Sequence, residues 1–281
     1  MSVTGIETYL RPQTLDEALT ALGEGAVALA GGTNIMLNSR PGTTTLVDLT
    51  GLPLAYVRDE DGFTIGATTT LTAMLEHPGL ATHLDGAVAG MLRHVGSPLL
   101  RNVATIGGHL ARGRISDVIP LFLALDATIT VYDGAERSMS LADFFAGRVN
   151  EQQMLITEVG LPAARRDTAA AFHKFSRTFF DLALLNCACS VRLGNDGMVI
   201  AGRVVVGETP AVGAHVEPAA AALPGTRLDD EDIAGIAEIA AAAIPAGTDT
   251  RASADYRRAL CRAAVSRCLE EIRGRFEERV R

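Results

Sequence analysis

The chain has 281 residues, of which 48% are hydrophobic and 21% charged, enough length for two domains and an ordinary balance for a soluble globular protein. A formal charge of −8 opposes a phosphate backbone and no Lys/Arg cluster interleaved with aromatics offsets it, which argues against nucleic acid as a partner. No apolar run approaches the roughly 18 residues that span a bilayer, and Met1 to Arg11 carries neither a basic nor an apolar leader region, so no membrane span and a cytoplasmic location are expected.

Thr14 followed by Glu17 forms a capping box that predicts a helix through about Leu22. Ala26 to Ala30 is a short apolar strand ending at Gly31-Gly32, and Thr43 to Leu49, rich in Thr and Val, is a second. A hairpin follows, with strands Ala55 to Arg58 and Phe63 to Ala67 around Asp61-Gly62. Leu80, Leu84, Val88, Met91, Leu92 and Val95 fall on one helical face before a break at Gly96. A Gly-Gly turn at 107–108 precedes an apolar helix from about Asp117 to Leu125, with Pro120 in its first turn, and a strand from Thr128 to Tyr132.

Gln153 to Leu161 reads as a strand and Pro162 to Thr168 as a linker. Strands at Ala170 to Ser176, Leu184 to Leu193 and Met198 to Val206 are followed by helices at about Asp230 to Ile244 and Ser253 to Glu278. Strands grouped first and helices afterwards give an α+β C-terminal domain. The division predicted is 1–165, with parts at about 1–54 and 55–165, followed by 169–281. Cys187, Cys189, Cys261 and Cys268 lack CxxC spacing and lie at strand or helix core positions, so they read as buried free thiols, with no metal expected.

The candidate chemistry lies in two glycine-rich loops. Ala30-Gly31-Gly32-Thr33-Asn34 leaves a strand and enters Ile35; paired glycines permit positive φ and close backbone approach, so amides can converge on an anion. Thr105-Ile106-Gly107-Gly108-His109 offers the same chemistry, and two such loops in one domain could grip both phosphates of a dinucleotide. Either loop alone can also be only a turn. There is no GxGxxG in the right context, no GxxxxGK[ST], no HExxH and no GxSxG, so nucleotide-triphosphatase, zinc-protease and serine-hydrolase readings lose their support.

These loops resemble the two FAD-diphosphate loops of the flavoprotein subunit of molybdenum hydroxylases, the xanthine dehydrogenase and carbon monoxide dehydrogenase type. Leu46-Val47-Asp48-Leu49, Ile65-Gly66-Ala67-Thr68-Thr69, Arg101-Asn102-Val103-Ala104, Ile115-Ser116-Asp117 and Ser253-Ala254-Asp255-Tyr256-Arg257-Arg258 continue the resemblance in the same order. It implies an α+β protein with a two-part, PCMH/VAO-like FAD-binding region and a C-terminal domain of a small antiparallel sheet with helices. It places the FAD diphosphate on Ala30, Gly31, Gly32, Thr33, Asn34 and Ile35 and on Thr105, Gly107, Gly108 and His109. Asp117 would approach the ribityl or ribose hydroxyls, and Ile156 and Lys174 the isoalloxazine.

Asp117 can equally be a helix N-cap, Ile156 a core residue, and Lys174 a solvent-facing residue that His173 replaces if the register slips. One departure stands out. The family's usual Asn after the second Gly-Gly is His109 here, and the stretch to Asp117 is one residue shorter; Arg112 or Arg114 could add charge. The resemblance implies an oxidoreductase subunit that takes electrons from [2Fe-2S] clusters of a small partner subunit and passes them to an external acceptor. A large partner subunit would carry the molybdenum cofactor, in a dimer of heterotrimers. The alternatives are a stand-alone flavin reductase of the same wider fold and a scaffold subunit that has lost FAD.

Overall fold

The computed structural model describes residues 5–38, 41–147, 153–207 and 213–280. In chain order its elements are β1 (Thr8–Leu10), α1 (Leu15–Ala21), β2 (Ala26–Leu29), β3 (Thr45–Asp48), a 3-10 turn (Leu49–Gly51), β4 (Val57–Glu60), β5 (Gly62–Gly66), α2 (Leu71–Glu76) and α3 (Pro78–Arg93). Then come α4 (Pro98–Arg101), α5 (Ile106–Arg112), α6 (Val118–Ala124), β6 (Thr128–Tyr132), β7 (Glu136–Ser140), α7 (Leu141–Gly147) and β8 (Leu155–Leu161). The last are β9 (Thr168–Phe175), β10 (Leu185–Leu193), β11 (Val199–Gly207), β12 (Ala214–His215), α8 (Glu217–Ala221), α9 (Asp230–Ala243) and α10 (Ala254–Val280). The α+β class follows directly.

Two compact units form, and they do not follow the chain linearly. The first comprises 1–77, 97–112 and 127–161; the second comprises 78–96, 113–126 and 162–281. Within the first unit a three-stranded parallel sheet, order β1-β3-β2, accompanies a five-stranded antiparallel sheet, order β4-β5-β8-β6-β7. Ala18, Val47, Leu49, Leu52, Leu54 and Leu155 form one buried cluster spanning both parts of this unit.

In the second unit β9 to β12 form an antiparallel sheet, order β12-β11-β10-β9. Residues 185–191 of β10 are buried without interruption because both faces of the strand are covered. Leu185, Cys187, Cys189 and Val191 join the core that includes α9 and α10. The alternate residues Asn186 and Ser190 turn instead to α6, where the Ser190 hydroxyl donates to the Ala124 carbonyl at 2.6 Å. An apolar run interrupted by two polar residues is thus a strand buried on both faces with two hydrogen bonds to place.

Three local expectations change. Thr14 caps α1 through the Glu17 amide, but the Glu17 carboxylate reaches the Gln13 amide at 2.8 Å instead of closing the box on Thr14. The face from Leu80 to Val95 is buried as expected, yet the helix breaks at His83 to Gly86, where Leu84, Asp85 and Gly86 all have positive φ. The Asp-Gly pair favours that turn, and the Arg275 side chain donates to the Leu84 carbonyl at 3.0 Å. Finally, Gly107 and Gly108 are not a turn; they lie in the first turn of α5.

Candidate functional site

The first loop leaves β2 and folds into a short helical turn. The Met36 amide donates to the Gly32 carbonyl at 3.1 Å and the Asn38 amide to Asn34 at 2.9 Å. The amides of Gly31, Gly32, Thr33, Asn34 and Ile35 have no acceptor among the described residues. Gly32 has φ of +69°, the left-handed conformation that L side chains adopt only at a cost. A residue in that conformation next to right-handed neighbours turns successive N–H groups toward one concave point, an anion-binding nest. The loop is half-buried from Ala30 to Ile35. Such amides lack a protein partner, and an anion placed at that point would satisfy them.

Gly31 does something different. A Cβ built there would lie 1.8 Å from the Val103 carbonyl oxygen and 3.1 Å from the Ala104 Cα, so the backbones of the first loop and of the segment entering the second touch directly. No side chain can be inserted without driving them apart. The two loops are therefore brought together in the first unit.

The second loop spends its amides internally. Ile106 donates to the Thr69 carbonyl at 3.1 Å and Gly107 to Ala67 at 2.9 Å; Gly108 donates to the Thr105 hydroxyl at 3.2 Å and His109 to the Thr105 carbonyl at 3.1 Å. Gly107 is glycine because a Cβ would meet the Ala67 carbonyl oxygen at 2.7 Å. Gly108 is exposed and its Cβ would meet only the Thr105 hydroxyl, at 2.9 Å. This loop thus backs the first loop and offers side chains in place of free amides. Burial, assisted by the nearby Arg112 guanidinium, pushes the His109 imidazole down to about 4, so at neutral pH it is an uncharged donor or acceptor.

Asp117, Lys174 and two groups that the sequence reading did not single out meet in the second unit. The Lys174 Nζ donates to Asp117 Oδ2 at 2.7 Å and to the His94 carbonyl at 2.8 Å. The Lys174 side chain is only 2% exposed and that of Asp117 11%, so Lys174 does not face solvent. Asn186, fully buried and directly opposite Lys174 in the β9–β10 ladder, donates to Asp117 Oδ1 at 2.9 Å and to the Ser116 carbonyl at 3.3 Å. Asp117 holds the N-cap position of α6 but makes no side-chain cap hydrogen bond. Its carboxylate is spent on the lysine and the amide, satisfying a buried charge that would otherwise be costly.

His173 does not replace Lys174. It faces the other side of the sheet, with Nε2 3.0 Å from Glu271. Ile156 sits on the half-exposed face of β8, alternating with the buried Leu155 and Thr157, so it is not a core residue. A sequence signal for Asn186 did exist: an Asn within an apolar strand must find a partner when buried.

Residues 3–164 match the family described as FAD binding domain in molybdopterin dehydrogenase, and residues 170–272 match the CO dehydrogenase flavoprotein C-terminal domain. The 6-hydroxypseudooxynicotine dehydrogenase complex subunit alpha of Paenarthrobacter nicotinovorans is 30% identical over 278 residues, covering 93% of this chain and 92% of its own. The nicotinate dehydrogenase FAD-subunit of Eubacterium barkeri is 30% identical over 208 residues, 68% of this chain and 70% of its own. Among solved structures, that of carbon monoxide dehydrogenase from Hydrogenophaga pseudoflava lacking the Mo-pyranopterin moiety of its cofactor has a chain with a TM-score of 0.89 at 27% identity, covering 98% of this chain and 99% of that one. Two family matches in tandem, a relative aligned almost end to end and a shared fold lead to one assignment: the chain belongs to the FAD-binding medium-subunit family of the molybdenum-dependent dehydrogenases.

Proposed function

We propose that this chain binds FAD and serves as the electron-exit subunit of a molybdenum-dependent dehydrogenase or hydroxylase complex. The observation that carries the reading is the run of five amides, Gly31 to Ile35, without an acceptor among the described residues and curved by the positive φ of Gly32. Those residues fit a diphosphate, which supplies the oxygens that such amides lack. Ala30 leads the chain into the nest, and the Thr33 and Asn34 side chains border it. Thr105, Gly107, Gly108 and His109 form the backing loop, where a neutral His109 replaces the family's usual Asn as a hydrogen-bonding side chain.

On the family resemblance, Asp117 is proposed for the ribityl or ribose hydroxyls, and Ile156 and Lys174 for the isoalloxazine. The Lys174 ammonium and the Asn186 amide hold the Asp117 carboxylate in one orientation. Bound flavin supplies the one- and two-electron chemistry, while the protein positions it and controls access to it. The electrons are proposed to come from [2Fe-2S] clusters of a small partner subunit, after oxidation of substrate at the molybdenum cofactor of a large one, and to leave for an external acceptor. A cytoplasmic dimer of heterotrimers is the assembly that the resemblance suggests. Among the described residues, no helix is long and apolar enough to cross a membrane.

The test is reduction of the FAD-loaded chain by substrate, alone and with the iron–sulfur and molybdenum subunits. Flavin bleaching only in the assembled complex supports the assignment. Bleaching by the isolated chain at a rate the other subunits do not increase points to a self-contained reductase, and failure to retain any flavin after reconstitution points to a scaffold.

A further inference from the structure

Cys187 and Cys189 stand two apart on β10, so their side chains leave the same face of the strand. Cys268 of α10 completes a trio whose sulfurs all lie within 4.8 Å of one another, with the Cys187 and Cys189 Sγ atoms 4.0 Å apart. All three residues are 0% exposed, in a core whose other buried members are Ala, Val, Leu and Ile side chains and Cys261, and all are free thiols. We propose that these three sulfurs form a trigonal binding site for a closed-shell, thiophilic, monovalent cation, of which Cu(I) is the biological example.

Geometry, charge and ligand softness favour that class of ion together. With metal–sulfur bonds of about 2.3 Å, a planar three-sulfur site has its sulfurs about 4.0 Å apart, the separation of the first pair. Buried sites tolerate little net charge. A monovalent ion and one ionised thiol make a neutral unit, whereas a divalent ion would require two thiolates and a fourth ligand to complete a tetrahedron. Cys261 lies outside the trio, and burial pushes its thiol up to about 12. His173, opposite Cys187 in the ladder, has its Nε2 engaged by Glu271. Thiolate and thiol ligands select soft ions over Mg²⁺ or Ca²⁺.

The Cys268 thiol donates to the Ala171 and Cys187 carbonyls, each at 3.7 Å, so the trio is held in place by the strands and helix that carry it. Binding involves no oxidation or reduction. One S–H bond of the trio breaks, its proton passes to solvent, a metal–sulfur bond forms, and the other two sulfurs each add a lone pair. The trio is enclosed, so loading requires local opening of the sheet and helix or takes place as the unit folds.

The experiment is an anaerobic titration of the full-length chain with Cu(I) against a chromophoric competitor, followed by X-ray absorption to count sulfur neighbours. The expected result is one equivalent held by three sulfurs. Cys189→Ala or Cys268→Ala should weaken binding at least about a hundredfold, while Cys261→Ala leaves it unchanged. No stoichiometric binding, a shell of fewer than three sulfurs, or equal affinity in Cys189→Ala would overturn the proposal and leave the cysteines as small core residues. If the variants do not fold, the coordination number in the unmodified chain still decides.

Discussion

Gly31-Gly32 and Gly107-Gly108 are the same dipeptide, yet their backbones are put to opposite uses. At the first, φ of +69° at Gly32 opens a turn whose amides remain without protein acceptors. At the second, both glycines are helical and the amides of 106–109 are consumed by Ala67, Thr69 and Thr105. The pairs also differ internally. Gly31 and Gly107 are glycines because another backbone lies where a Cβ would be, whereas Gly32 and Gly108 have more room. A Gly-Gly pair in sequence therefore announces close approach or unusual backbone conformation, and the hydrogen-bond account decides which pair can receive an anion.

The largest expected effect comes from Gly31→Val. Its Cβ would fall inside the Val103 carbonyl, so the loops must separate. FAD affinity in flavin titrations should drop by about a hundredfold or more, equivalent to about 2.7 kcal/mol. Retained affinity would mean that contact between the loops is unnecessary for the cradle.

Gly108→Ala sharpens the contrast from the other side. The only close atom is the end of the Thr105 side chain, so FAD affinity should change by less than about threefold and stability by less than about 1 kcal/mol. A loss as great as that from Gly31→Val would make the second loop an equal partner in binding.

His109→Asn should have the smallest effect at neutral pH, because the imidazole is already uncharged there. On acidification the unfolded chain binds a proton at about 6.5 and the folded chain only near 4, so stability is lost as pH falls through that window. Thermal melts should show His109→Asn losing less stability than the parent between about pH 6.5 and 4. Identical acid profiles would show that His109 is not held neutral by its surroundings.

Long, patterned elements were legible in the sequence. Thr128–Tyr132 is the strand expected, and β8, β10, α9 and α10 differ from their predicted spans only at the ends, because alternation or helical spacing repeats over many residues. Short elements were missed. β1 is exposed along its length, and β7, Glu136–Ser140, is polar and held by pairing with β6. The interruption at 83–86 was read through because a single buried face spans it, although the Asp85-Gly86 pair carried a turn signal.

Among the candidate residues, sequence pattern singled out both glycine-rich loops, and the family resemblance singled out Asp117 and Lys174, all of which are proposed FAD contacts. The hydrogen-bond account was not legible. Periodicity says which face a residue occupies, but not that Asn186 stands opposite Lys174 or that both end on Asp117. Nor could it show that 78–96 and 113–126 pack with the C-terminal unit, since tertiary partners are not written into local pattern.

The claim that the first loop is the diphosphate cradle is tested most directly by titrating the flavin-free chain and its Gly32→Ala variant with FAD and with riboflavin, which lacks the diphosphate. A side chain in the left-handed region costs about 1–2 kcal/mol, and relaxing it turns the amides away from their common point. The predicted result is FAD affinity reduced about tenfold, with riboflavin affinity unchanged. Equal losses for the two ligands, or no loss for FAD, would contradict the account.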